Sequence, residues 1–290
     1  MSRPDVSVIV VAFDVRDEVL ACLESIAQHA GGVTAETILV DNGSRDGTAE
    51  EVERRFPDIT AVRLARNEGI SARNHGLRRA TGRLRMFLDS DALLTPGALP
   101  ELVRFLDETP GVGLAGPRLV YTDGTLQLSA RRYPPLALPL LRRRPLSYLL
   151  EDSRPVRRHL MADDPHDRIR EVEYVIGACQ IFTEQAQEVA GEIDRWIFFG
   201  PDDADWCFRI RRSGLKVVYY PAATVIHGYR RTSSERQFSR IAFEQLRAFV
   251  RFQWKWRRER RRLMDEGRAM DRRARDAGVE WDERRPAGRG

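Results

Sequence analysis

The stretch RLRMFLDSDALLTPGAL, Arg83 to Leu99, decides the fold. Arg83–Leu88 reads as a buried strand that runs directly into Asp89-Ser90-Asp91, and Pro96-Gly97 then open a helix through Glu108. Upstream the same alternation recurs. Val6–Phe13 is a continuous apolar run, as a strand covered on both faces requires. Val15–His29 carries Val19, Cys22, Leu23 and Ile26 at helical spacing. Strands over Thr37–Val40 and Ala61–Leu64 follow, with helices over Ala49–Phe56 and Ile70–Ala80. Strands alternating with helices predict an α/β fold with a mostly parallel, Rossmann-like sheet flanked by helices.

Beyond Ala115 the pattern changes. Asp123-Gly124 between two short strands is a hairpin signal, and Tyr133–Asp167 is an irregular excursion rich in proline, arginine and leucine. A second ordered block follows, with helices over Glu184–Ala190 and Asp205–Ser213 and a strand over Lys216–Tyr220. The remainder is a basic helical tail. The expected division is a first half over 1–115, a second half over 116–234, and the tail over 235–290.

The chain of 290 residues is 42% apolar, enough for a sizeable core, and its net charge is +5. Arg240–Gly290 holds 16 basic and 9 acidic residues, an excess of +7 that leaves −2 for everything before it. Only Lys216 and Lys255 are lysines among 48 basic residues, a bias that looks more like coding preference than selection for phosphate contacts. No apolar stretch approaches the roughly 20 residues of a membrane span. No secretory leader is visible, and three widely spaced cysteines suit reduced thiols. The expected location is cytoplasmic, or peripheral at the inner face of the membrane.

Two carboxylates one residue apart at a strand end, Asp89 and Asp91, can hold a hard divalent ion that bridges substrate phosphates. An isolated D-x-D is more often a solvated acidic turn; its place after a buried strand brings the two readings level. Asp41, ahead of Asn42-Gly43-Ser44, can accept hydrogen bonds from a nucleobase or ribose, or only close an Asx turn that caps the next helix. In Gly200-Pro201-Asp202-Asp203-Ala204-Asp205, Asp205 suits the helix dipole, while Asp202 and Asp203 lie further out, where a carboxylate can act as a general base. His227 ends a strand, a position more often packed than ligating. Arg230 and Arg231 behind it can neutralise a diphosphate.

The order of these features changes their weight. VSVIVVAF, ILVDNGSRDGT, NEGISARNHGL, MFLDSDALLTPGAL and GPDDADWCFRIRRSGLKVVYYPAATVIH together closely resemble the family 2 inverting glycosyltransferases of the GT-A fold, over roughly Val6 to Ser234. The resemblance implies a nucleoside diphosphate sugar donor, Mg²⁺ or Mn²⁺, and a hydroxyl acceptor. It places Asp41 on the nucleobase and Asn67, Gly69, Arg73 and Asn74 on the nucleotide side. Asp91 becomes the direct metal ligand, with Asp89 near ribose and metal and His227 completing the site. Asp203 becomes the base, with Asp202 before it where the family usually has glutamate. Ala12 and Asp14 stand where base contacts are expected, although Ala12-Phe13-Asp14 departs from the commoner Thr/Asn-Tyr-Asn.

GPRLVYTDGTLQLSARRYP and HGYRRTS look like bacterial rhamnosyltransferases that use dTDP-L-rhamnose. A UDP-hexose or UDP-galactofuranose donor is the nearest alternative, and a growing glycan on a lipid carrier the expected acceptor. A sugar-1-phosphate nucleotidyltransferase would need a glycine-rich loop where Asp14-Val15-Arg16-Asp17-Glu18 stands. From another class, Phe243, Leu246, Phe249, Val250 and Trp254 recur among arginines at helical spacing in the tail, a pattern suited to an anionic membrane surface or to packing on the body. No helix-turn-helix, zinc or RNA-binding signature accompanies the charge, so no nucleic-acid partner is expected.

Overall fold

The computed structural model describes residues 3–136, 138, 153–228 and 240–276. The chain opens with β1 (Val6–Ala12), α1 (Arg16–His29), β2 (Ala35–Asp41), α2 (Thr48–Arg55) and β3 (Thr60–Arg63). A 3₁₀ turn at Gly69–Ala72 leads into α3 (Arg73–Leu77), then β4 (Leu84–Asp89), β5 (Ala92–Leu94) and α4 (Ala98–Glu108). β6 (Val112–Val120), β7 (Leu126–Gln127), β8 (Ala130–Arg131) and α5 (Arg154–Leu160) follow. The next block is β9 (Arg170–Glu171), β10 (Tyr174–Val175), β11 (Cys179–Thr183), α6 (Glu184–Ala190), α7 (Asp202–Arg212) and β12 (Lys216–His227). Two helices, α8 (Arg240–Lys255) and α9 (Arg260–Asp276), complete it.

β1 shows why the layers form. Side chains alternate across a strand, and here both sets are apolar: Val6, Val8 and Val10 enter one core and Ile9 the other. β4 repeats the split, with Leu84, Met86 and Leu88 opposite Phe87. Such strands need cover on both faces. α1 and α4 cover the first with Val19, Leu23, Leu102 and Phe105; α3 and α7 cover the second with Leu77, Trp206, Phe208 and Ile210. The three cysteines are free and buried.

Among the described residues the sheet has ten strands, ordered β3-β2-β1-β4-β11-β6-β12-β5, with β7 on β6 and β9 on β12. β3, β2, β1 and β4 run parallel, as the alternating pattern predicts. β11 then inserts antiparallel between β4 and β6, and β6 and β12 are parallel again. The sheet does not pause at residue 115, since β6 straddles that position. The hairpin expected at Asp123-Gly124 joins β6 to β7, with Leu119 opposite Gln127. α7 begins at Asp202 and not at Asp205, so both preceding acids belong to its first turn. Of the excursion over 133–167, residues 154–160 form α5, while 137 and 139–152 lie outside the described residues.

The tail is helical as expected, and its two helices pack on the body. α8 buries Phe252 against Phe208 and Tyr133, ring centroids 5.8 and 6.0 Å apart. Trp256, just past α8, donates from Nε1 to Oδ1 of the fully buried Asp205 at 2.8 Å. Lys255 Nζ reaches the same carboxylate at 2.8 Å. Asp205 is thus an anchor for the tail as well as a helix-dipole complement. On α9, Gly267 lies over the buried Glu173, whose carboxylate accepts from the Tyr133 backbone N–H, and a methyl at 267 would overlap it. Exchanging glycine for alanine inside an exposed helix gains about 1 kcal/mol. Gly267→Ala is expected to reverse that sign, losing about 1–3 kcal/mol to overpacking, as a chemical denaturation series will show.

Candidate active site

Register brings the first carboxylates together. Ala12 of β1 pairs with Asp41 of β2, and Val11 pairs with Asp89 of β4, so three adjacent parallel strands end at one edge. Open α/β sheets leave their ligand crevice at that edge. Asp41 is buried and its Oδ1 accepts from the Ser44 N–H at 3.2 Å, closing the turn suggested by the sequence. Asp14 sits at φ 51° and is tied to the same loop: its Oδ1 accepts from the Arg45 N–H at 2.7 Å, and its N–H donates to Ser44 Oγ at 3.0 Å. Asn67 Oδ1 accepts from Asn42 Nδ2 at 3.0 Å and from the Gly69 N–H at 2.8 Å, linking the two edge loops.

A second group forms where β12 meets β5. His227 pairs with Ala92, the residue after Asp91, so its ring returns to the D-x-D turn. His227 Nε2 lies 3.3 Å from Asp91 Oδ1 and 3.8 Å from Asp89 Oδ2. Its Nδ1 is 2.8 Å from Gln127 Oε1, which fixes Nδ1 as the donor and turns Nε2 toward the acids. Burial works against a charged imidazole here, but the Asp91 hydrogen bond and the Asp89 and Asp91 charges outweigh it, so His227 titrates above its ordinary value. One ligand atom from each residue falls within 4.8 Å of the others. Two carboxylates, one imidazole and a supporting amide suit a divalent ion such as Mg²⁺ or Mn²⁺.

Arg73 joins this group to the third. Its side chain is 4% exposed and stacks over Phe87, with Cζ 4.7 Å from the ring centroid. Nη2 donates to Asp89 Oδ1 at 2.7 Å and to the Gly177 carbonyl at 2.8 Å, while Nη1 lies 3.7 Å from Asp202 Oδ2. A Cβ on residue 177 would meet Nη1 at 3.0 Å, so glycine is what lets the guanidinium through. Burial raises Asp202 and Asp203 well above the ordinary carboxylate range. The Asp203 charge raises Asp202 further, against the pull of Arg73. Asp203 rises less, because the Ala204 backbone, Arg131, Arg73 and the Gly177 backbone favour its ionised form. The two carboxyls therefore titrate as one interacting pair, both held above the ordinary range, with Asp202 the more strongly raised.

Two expected site residues are committed elsewhere. Asn74 is buried, and its amide both donates to the Ile193 carbonyl at 2.9 Å and accepts from the Ile193 N–H at 2.8 Å. Gly69 adopts φ 66° beneath the Phe198 carbonyl, which also accepts from the Ile70 N–H at 2.9 Å. Both serve the loop that precedes α7. Arg230 and Arg231 lie outside the described residues. Reading by motif missed Gln127, Gly177 and Arg131; Gln127 and Arg131 lie within GPRLVYTDGTLQLSARRYP, but only β7 and β8 pairing shows what they face.

Residues 7–165 match the profile of Glycosyl transferase family 2. The N-acetylglucosaminyl-diphospho-decaprenol L-rhamnosyltransferase of Mycobacterium tuberculosis is 24% identical over 210 residues, 66% of this chain and 65% of that protein, just short of two thirds of its length. A mannosyltransferase of Pyrobaculum calidifontis, solved with GDP-Man and Mn²⁺, superposes with a TM-score of 0.55 at 21% identity, over 81% of this chain and 59% of that one. GalNAc-T7, solved with UDP, GalNAc and Mn²⁺, gives a TM-score of 0.60 at 17% identity, over 79% and 44% of the two chains. These neighbours share the GT-A fold.

Free aspartate ionises near about 3.9, whereas folded Asp202 keeps its proton to higher pH. Stability therefore falls as pH rises from the unfolded value through the folded one. In metal-free buffer, Asp202→Asn is expected to flatten that fall, stabilising the protein by about 1–3 kcal/mol more at about pH 8 than at about pH 5, read from denaturation at each pH.

Proposed function

The chain belongs to glycosyl transferase family 2, and we propose that it transfers L-rhamnose from dTDP-rhamnose, with inversion, to a hydroxyl of a cell-surface glycan built on a lipid carrier. The observation that carries the chemistry is the Arg73 bridge between Asp89 and Asp202, which ties the donor edge to the acid pair. The choice of sugar and acceptor draws support from the rhamnosyltransferase relative, whose substrate is a diphospho-decaprenol glycolipid by its own name.

Each residue then has a task. Asp41 and the loop held by Asn67 and Asp14 receive the nucleotide at the strand edge. Asp89, Asp91 and His227 would hold a divalent cation, which when bound neutralises the charge building on the leaving diphosphate. Arg73 adds fixed positive charge behind Asp89 in a water-poor setting, where it counts for more than at the surface. Asp203 takes the proton of the acceptor hydroxyl as that oxygen attacks the anomeric carbon. One displacement with one base inverts the configuration; retention would call for a nucleophile on the donor's other face. The Ala204 backbone, Arg131, Arg73 and the Gly177 backbone favour the ionised form of Asp203 for that role, while burial and the Asp203 charge oppose a second charge on Asp202 beside it.

A panel of nucleotide sugars with Mg²⁺ or Mn²⁺, scored for diphosphate release and transfer, tests the donor. Selective turnover of dTDP-rhamnose is expected; selective turnover of a UDP-sugar would replace the rhamnose reading and leave the site chemistry standing. Asp203→Asn is expected to bind donor normally and to lose about 10²–10⁴-fold in kcat. The wild-type rate should rise with pH from the weakly acidic range toward neutrality, as Asp203 gives up its proton. Gln127→Ala is expected to weaken Mn²⁺ binding about 10–100-fold by freeing the His227 ring, measured by calorimetric titration.

A further inference from the structure

The outward side of α8 has a composition that folding does not explain. Phe243, Val250 and Trp254 are 64%, 60% and 66% exposed, while Ala248 and Phe252 on the opposite side are buried. Positions 243, 247, 250, 251 and 254 share one helical face, and Arg247 and Arg251 fill the places between the apolar side chains. Beyond the helix end, the Arg257 guanidinium stacks on Trp254, with Cζ 3.9 Å from its ring centroid. The helix is therefore apolar on two sides, one spent on the core and one turned to solvent.

We infer that this face, Phe243, Arg247, Val250, Arg251 and Trp254, docks on an anionic lipid bilayer. Charge selects that occupant. The segment from Arg240 onward carries an excess of +7, to which α8 contributes four basic residues against one acidic, while the rest of the chain sums to −2, so attraction to a negative surface gathers in the tail that presents the apolar side chains. Large apolar groups with arginines between them suit the interfacial zone, where rings and methyls enter the acyl boundary and guanidinium groups stay with the headgroups. Among the described residues no helix is long and apolar enough to cross a membrane. The site lies close behind this helix: a Cβ on Gly200, two residues before Asp202, would meet Ala248 Cβ at 3.7 Å and Gln245 Cα at 3.9 Å. Docking would hold the acid-bearing loop next to the bilayer.

Sedimentation of the full chain with phosphatidylcholine vesicles, with and without phosphatidylglycerol, tests this. Binding is expected to require phosphatidylglycerol and to fall at high salt. Arg247→Glu with Arg251→Glu should reduce it by about tenfold or more, and Phe243→Ser with Trp254→Ser should do the same. Lipids brominated in the acyl chain should quench tryptophan emission in wild type and much less in Trp254→Phe. Soluble-donor turnover and the denaturation midpoint should stay near wild type in all these variants, which separates lost docking from lost folding and from any failure of the sugar assignment. Equal binding to both vesicle types, or full binding by the variants, overturns the inference. So does a concentration-dependent dimer in light scattering that Phe243→Ser with Trp254→Ser disperses, since a second copy would then be the occupant.

Discussion

The buried guanidinium of Arg73 is the interaction on which the site depends. Asp89 and Asp202 both face it, and a buried carboxylate without a partner is far more costly than a paired one. Its own position is fixed by the Phe87 ring beneath and the Gly177 carbonyl beside it. Phe87 belongs to β4, the strand that ends in the D-x-D turn, and Gly177 precedes β11, the strand inserted next to β4. One cation therefore requires the parallel half, the antiparallel insertion and the start of α7 to arrive together. Removing it would leave the buried Asp202 without its cation and the half-exposed Asp89 without its hydrogen-bond donor.

The parallel first half of the fold was legible in the sequence because its signals are local. Apolar runs that end in Asp41 and Asp89 report both strand and edge, and parallel register does the rest. The same locality let Asp203 and His227 be named before any partner was visible. β11 was not legible: Cys179–Thr183 follows no turn or helix of its own pattern, and its identity as a strand comes from the two neighbours it separates. Gln127 and Gly177 were hidden for the same reason, since an amide that orients an imidazole 100 residues away, or a glycine that admits an arginine, has no local mark. Asn74 is the opposite case. Its motif is local, but the backbone it satisfies at Ile193 is 119 residues distant.

The acids of Asp202-Asp203-Ala204-Asp205 show how a short motif divides its work by helical phase. Asp202 and Asp203 raise the cost of charge and are steadied by Arg73, Arg131 and backbone. Asp205, part of the same turn, is satisfied by Lys255 and Trp256 of the tail together with Arg209 of its own helix. This acidic stretch is thus stabilised from both sides, by the sheet in one direction and by the C-terminal helices in the other. The tail's positive charge and its aromatic content are partly consumed in this internal task, and only its outward face is left for anything else.

The Asp205 anchor also bears on how a chain of this kind can be assembled by recombination. By position in the sequence, the helices after residue 240 resemble an interchangeable appendage. Yet an incoming tail without equivalents of Lys255 and Trp256 would leave the buried Asp205 to Arg209 of its own helix, and one without a glycine at 267 would collide with Glu173. Body and tail can diverge as a matched pair far more readily than either can be swapped, so the crossover points open to this architecture lie elsewhere than at its most obvious seam.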